Sequence, residues 1–411
     1  MHHPDINRHS RRARWSWALY DFANTIYSAI VVTLYLPLYL NQQTGKNWPM
    51  GVAMFGSLLL AAFLVPFLGA VADRTGRTKQ YLFRLTVLCC LCAASLGLWT
   101  QTLLILFFFF LANIAYQSSL VFYNSLLPTI AQDDEQGWLS GIGVALGYLG
   151  VIFAIPIAHW ASQHWHMNSV FFVAGFLFFI FAIPLFLWVP ADQPHDHSPL
   201  TTSLFKERAT EVTRTIFQLP RYPILLFFLI GNFFCVDAVN ASIAWFSVYT
   251  KSVFNTSQST LILLFLALNA MAFLGGLVMG KLTHRFGAVR IIFFAVICFM
   301  IAILSAVFVH SLLWFSILVL SFGGFGISGL WTAGRRLLIQ LAPEEHIGEY
   351  FGLYGISIKL SIFGSLSFAL LSDWFNLRIA LGAQLVSLSL GLFFLILMKY
   401  QMKRMDNASD F

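Results

Sequence analysis

Gly69-Ala-Val-Ala-Asp73-Arg74-Thr-Gly76-Arg77-Thr78-Lys79 sets a glycine, an acid, a base and a second glycine within eight positions. Gly280-Lys-Leu-Thr-His284-Arg285-Phe-Gly287 repeats the spacing 211 residues later. Each copy is a short polar step between two long apolar runs. The offset is close to half of the 411 residues, so the chain reads as two like halves, the mark of transporters whose halves rock about a central site.

Outward from the two copies, about 20 apolar residues suffice for a helix to cross the ~30 Å hydrocarbon core of a bilayer. Twelve such stretches are predicted: 15–40, 50–72, 80–100, 102–130, 138–160, 168–189, 223–250, 258–280, 288–309, 311–335, 347–372 and 378–399. They are numbered spans 1 to 12 below. Composition agrees: 59% hydrophobic, 10% charged, 43 phenylalanines and a mean hydropathy of +0.77 leave too little charge to coat a soluble domain. The expected fold is an all-α integral membrane protein of twelve transmembrane helices in two pseudo-symmetric six-helix halves.

The polar stretch 190–222, with Pro190, Pro194 and Pro199, divides them. The expected organisation is a cytoplasmic tail (1–14), an N-terminal half (15–189), a cytoplasmic linker (190–222), a C-terminal half (223–399) and a cytoplasmic tail (400–411). The basic residues give the orientation: with the N-terminus inside, 20 Lys and Arg lie on the cytoplasmic side against Lys46, Lys251 and Arg378 outside. The net charge of +7 therefore sets topology, and nucleic acid is not an expected partner. Cys89, Cys90, Cys92, Cys235 and Cys298 all fall inside spans with no metal-ligand spacing, so neither disulfide nor metal is expected. The first span has no cleavage site behind a short core and reads as a retained helix. Short loops without organelle signals suggest a bacterial inner membrane.

Three charges interrupt the apolar spans: Asp21, Asp237 and Lys359. A charge at mid-bilayer depth costs roughly 2.5–3.5 kcal/mol on insertion scales and usually serves a pathway. Asp21 with Asn24, Thr25 and Ser28 makes a polar stripe on span 1, and Asp237 with Asn240 echoes it on span 7 at an offset of 216. That offset disagrees with 211, so a small insertion or chance are both open. Span 4 carries Asn113, Tyr116, Gln117 and Asn124; span 10 carries Ser321, Ser328, Trp331, Thr332 and Arg335. Lipid cannot satisfy these groups, so the stripes face protein or water, either as a solute cavity or as hydrogen-bond glue between helices. Asp237 and Lys359 could neutralise each other as a structural pair. They could instead meet the charges of a zwitterion, or one acid could take a proton in each cycle.

The motif from Gly69 to Lys79 resembles the signature between helices 2 and 3 of the major facilitator superfamily. Four further stretches resemble one branch of it, the vacuolar-effluxer-like group related to an autophagy-associated amino-acid exporter. These are Trp17-Ala-Leu-Tyr20-Asp21-Phe-Ala-Asn24, Phe122-Tyr123-Asn124-Ser-Leu-Leu-Pro128, Gly141 to Gly150, and Glu349-Tyr-Phe-Gly352-Leu-Tyr354 through Lys359. This chain departs from the pattern at Phe22, where the branch usually has Trp, and at His284, where the second-half loop usually has an acid.

The resemblance implies that helices 1, 4, 7 and 10 line a central cavity. The substrate or coupling residues would then be Asp21, Asn24, Asn113, Tyr116, Gln117, Asn124, Asp237, Asn240, Trp331, Arg335 and Lys359. It also implies a cytoplasmic gate of Gly69, Asp73, Arg74, Gly76, Arg77 and Glu349. The expectation is a secondary transporter, monomeric and without cofactor, moving an amino acid or similar zwitterion by proton-coupled alternating access. One rival is a carrier of amphipathic, lipid-like or drug-like solutes. The other is a membrane sensor or enzyme, which the lack of any Ser/His/Asp, HExxH or phosphate-loop pattern disfavours.

Overall fold

Hydrocarbon offers backbone groups no partner, so a chain that crosses it folds into helices or a closed barrel. In the computed structural model, which describes residues 11–75, 77–131, 133–190, 210, 214, 217–341, 353–355, 357–358 and 360–409, all regular elements are helical. Ten helices are long and apolar enough to cross a membrane, among them Arg11–Thr44, Thr102–Ser125, Ser169–Trp188, Pro223–Ala244 and Leu312–Leu341. Span 2 is the helix Trp48–Thr75, apolar over Trp48–Leu64, and the outer part of span 11 is Phe363–Trp374.

Several edges and interiors differ from expectation. Span 1 starts at Arg11 and contains a π-helical stretch, Ser28–Tyr35. Span 7 is broken at Trp245 (φ −102°, ψ 6°) into Pro223–Ala244 and Phe246–Phe254. The break is held from the side: the Trp245 indole N–H donates to the Ser365 carbonyl and hydroxyl oxygens, both at 3.0 Å, and its ring stacks on Phe368. Five free cysteines are all buried.

Contacts divide the chain into two compact units, Met1–Thr44 with Gly56–Arg208, and Gly45–Phe55 with Ala209–Phe411. In the first unit, span 1 packs on spans 5 and 6, and span 3 on spans 4 and 6. Tyr20 of span 1 joins this core through Thr86 of span 3 (2.7 Å) and Ser119 of span 4 (3.4 Å). In the second unit, span 7 packs on spans 11 and 12, and span 9 on spans 10 and 12. The helix pairings are the same in both.

One cross-helix bond marks the correspondence. Asn113 of span 4 donates to Ser57 of span 2 (2.7 Å), and Ser328 of span 10 donates to the Ala272 carbonyl of span 8 (2.6 Å). Both members of the second pair stand 215 residues after those of the first.

Residues 45–55, which lead into and begin span 2, group with the second unit. The cause is a cap supplied by span 11. The Asp373 carboxylate accepts the backbone N–H groups of Asn47 (2.9 and 3.0 Å) and Trp48 (2.8 Å), and Asn47 donates to Ser372 (3.0 Å). One turn on, Gly51 lies so close to Ala369 that a Cβ would stand 2.5 Å from it. An acid at a helix N-terminus meets free N–H groups and the positive end of the helix dipole. Removing such a cap typically costs about 0.5–2 kcal/mol. Asp373→Ala should therefore lower the thermal unfolding temperature in detergent, and Asp373→Asn, which retains an acceptor oxygen, should lower it less.

Candidate functional site

The acid and amide of span 1 come together. Asn24 donates to the Asp21 carboxylate (3.0 Å), Thr25 donates to the Asp21 carbonyl (2.7 Å) and Ser28 to the Thr25 carbonyl (3.1 Å). This face is pressed on span 5. The Asp21 carboxylate lies directly over Gly143, and the Thr25 hydroxyl stands 2.8 Å from where a Gly147 Cβ would be. Glycine is required at these positions because any side chain would displace the polar groups.

Span 4 divides its predicted residues among different tasks. Asn113 is buried and committed to Ser57, which is the glue role. Tyr116 packs its ring 4.9 Å from Tyr27 of span 1, Gln117 is half-buried, and Asn124 is exposed. On span 10, Ser328 is likewise interhelical glue, Trp331 and Thr332 are half-buried, and Arg335 is exposed.

The densest polar constellation lies where span 7 meets a break in span 11. A helix ends near Ser361 and the next starts at Phe363, with Ile362 between them at φ −132°, ψ −7°. Backbone groups released there are met by side chains one to two turns apart on span 7. Asp237 accepts the Gly364 N–H (2.8 Å), and Asn240 donates to the Ser361 carbonyl (3.1 Å). Ser361 returns a bond from its hydroxyl to the Phe233 carbonyl (3.1 Å). Asp237 is only 3% exposed. Span 12 closes the site with Ser387, whose hydroxyl donates to Asp237 at 3.5 Å, and with the buried Gln384.

Gln384, Ser387, Ser361 and Gly364 were missed in the sequence. Gln384 and Ser387 are one turn apart in a predominantly apolar span, a signal of the same kind that identified Asp21 and Asn24. Of the expected gate, Arg77 is exposed, and Gly69, Asp73 and Arg74 lie on the span 2 helix. The Asp73 and Arg74 side chains, Gly76, Glu349 and Lys359 lie outside the described residues. Within the second unit, a separate apolar cavity of about 50 Å³ is lined by Trp245, Phe246, Tyr249, Phe299, Phe315 and Phe368.

Buried polar groups set where two helices of a repeated unit meet, within a bundle of apolar spans, suit a carrier. The family model of the Major Facilitator Superfamily matches residues 18–366. The chain belongs to that superfamily. A Bacillus subtilis (strain 168) protein described as an uncharacterized MFS-type transporter is 28% identical over 378 residues, 86% of this chain and 87% of that one. The fold is similar to that of the nucleoside transporter NupG (TM-score 0.72, 13% identity, 94% of this chain and 99% of that chain). It is also similar to an inward-facing bacterial homologue of the lysosomal transporter Spinster (TM-score 0.72, 14% identity, 97% and 98%). This major facilitator protein is thus a multi-pass membrane transporter of a small-molecule solute, and not an enzyme.

The approach of span 11 to span 7 makes a specific demand on Gly364. A Cβ there would stand 2.7 Å from both an Asp237 carboxylate oxygen and the Gln384 amide oxygen, and 3.0 Å from the Asp237 carbonyl. Overpacking of this kind typically costs about 1–3 kcal/mol. Gly364→Ala should lower the unfolding temperature followed by tryptophan fluorescence. Adding Gln384→Ala should recover part of the loss, so that the double variant is more stable than the sum of the single changes.

Proposed function

We propose that this transporter moves an amino acid or similar small zwitterion by proton-coupled alternating access, as a monomer in a bacterial inner membrane with both termini cytoplasmic. The reading extends the resemblance to the vacuolar-effluxer-like branch. The observation that carries it is the paired acid and amide on the first helix of each half: Asp21 with Asn24, and Asp237 with Asn240, each set against a glycine of the fifth helix. A half-buried acid in the first half and a buried one in the second, each with an amide one turn away, suit a solute that offers donors and positive charge, and Lys359 supplies the opposite sign for a carboxylate. Discontinuous helices such as spans 7 and 11 are the usual setting for substrate and coupling ions in secondary transporters. Similarity in fold to a nucleoside transporter is in keeping with a polar organic cargo.

The rival reading is an amphipathic lipid-like or drug-like solute, for which the apolar cavity walled by Trp245, Phe299 and Phe368 offers only about 50 Å³. Counterflow separates the two, because it reports exchange without a correctly chosen driving force. Proteoliposomes preloaded with mixed amino acids should take up a radiolabelled amino acid saturably, and Asp21→Asn should reduce that uptake. Exchange of hydrophobic cations or lysolipids, with no amino-acid exchange by folded parent protein, would move the assignment to the second reading.

A further inference from the structure

The amide of Gln384 is oriented by its surroundings. Its Nε2 faces two backbone carbonyls, those of Gly364 (3.2 Å) and Ala380 (3.5 Å). Carbonyls only accept, so the nitrogen must lie on that side and Oε1 on the other. Oε1 is buried in a residue 1% exposed and receives no hydrogen bond. It points to the same place as the Asp237 Oδ2: each is 2.7 Å from the position a Gly364 Cβ would occupy. The Asp237 Oδ1 is satisfied by the Gly364 N–H, whereas Oδ2 has only the long Ser387 bond. Two acceptor oxygens therefore border the same point beside Gly364, and neither receives a strong donor.

No charge offsets this arrangement among the described residues. The groups that span 11 and span 12 present to the carboxyl are the Gly364 N–H, the Gln384 amide and the Ser387 hydroxyl. On span 7 itself the nearby titratable group is Cys235, whose sulfur packs against Gly391 of span 12. An ionised carboxylate would leave the buried Oε1 without a donor, an uncompensated loss of solvation. A proton on Oδ2 turns one of the two acceptors into the missing donor.

We propose that Asp237 is the proton-carrying group of the transport cycle and that Gln384 Oε1 is the acceptor that holds its proton. This assignment rests on the proton-coupled part of the function proposed above. Water on one face of the membrane supplies the proton, the Oδ2–H bond forms, and the hydroxyl bridges span 7 to span 12. When that bond breaks, the proton leaves to water on the opposite face and two acceptors stand opposed, which loosens the junction of the two spans. Gly364 is a positioning residue, since only a glycine leaves the oxygens room to meet. Asn at position 237 would mimic the protonated acid, because its Nδ2 can donate to Oε1.

Infrared difference spectroscopy of purified, lipid-reconstituted protein tests the site without knowledge of the solute. As pH falls, the parent should gain a protonated-carboxyl carbonyl band. That band should be missing from Asp237→Asn and moved to higher frequency in Gln384→Leu, which removes the acceptor. Identical bands in the parent and Asp237→Asn, or an unmoved band in Gln384→Leu, would overturn the proposal. Stabilisation by sodium that the parent shows and Asp237→Asn lacks, with no titrating band, would reassign the pocket to a metal cation and equally overturn it. With any amino acid that exchanges, an imposed proton gradient should accelerate uptake by the parent, and that acceleration should be lost in Asp237→Asn. A parent that titrates at Asp237 yet exchanges no amino acid would refute the solute reading and leave the proton site standing.

Discussion

A helix broken inside hydrocarbon strands its backbone N–H and C=O groups, and here the break in span 11 is repaired by side chains of span 7. Trp245 crosses to Ser365, and Asp237, Asn240 and Ser361 bind across the interruption in span 11. Asp237 and Asn240 thus have a structural task at the break in span 11. The same repair fixes where a carboxyl can lie: Asp237 must reach Gly364 N–H, which holds its other oxygen beside Gln384. Backbone satisfaction and candidate chemistry thus use one side chain.

Close approach is the second demand, and glycine meets it in both halves. Gly143 admits Asp21 and Gly364 admits Asp237, each on the fifth helix of its half. Interfaces between membrane helices gain little from the hydrophobic effect, so packing distance and interhelical hydrogen bonds carry more of the stability. Asn113 and Ser328 are of this second kind. Their polarity drew attention to them as cavity-lining residues, yet their bonds are spent on neighbouring helices.

The apolar runs, the two-half repeat and the acid–amide pairs were legible because each is a local pattern of residue types. Helix interiors were less so. No proline marks the break at Ser361-Ile362 or at Trp245; both depend on partners over a hundred residues away, which spacing cannot reveal. Gln384 and Ser387 looked like isolated polar residues until span 7 was placed against them. Residues 45–55 group with the second unit through Asp373 and Ala369. A carboxylate 325 residues downstream leaves no mark on the local sequence.

The π-helical stretch in span 1 bears on how the two halves diverged. Asp21 and Asp237 are 216 residues apart, whereas Ser57 and Ala272 are 215 apart, so the first half holds one surplus residue between its acid and span 2. Ser28–Tyr35 lies inside that interval and is wound as a helix is when a single residue is inserted without unwinding its ends. From Ser57 to Asp73 the first half is four residues longer than its counterpart from Ala272 to His284, about one turn of helix. The conflict between the two repeat offsets thus resolves into one bulge and one added turn. Past that loop the offset returns to 215 at Asn113 and Ser328, so the second half regains four residues between His284 and span 10.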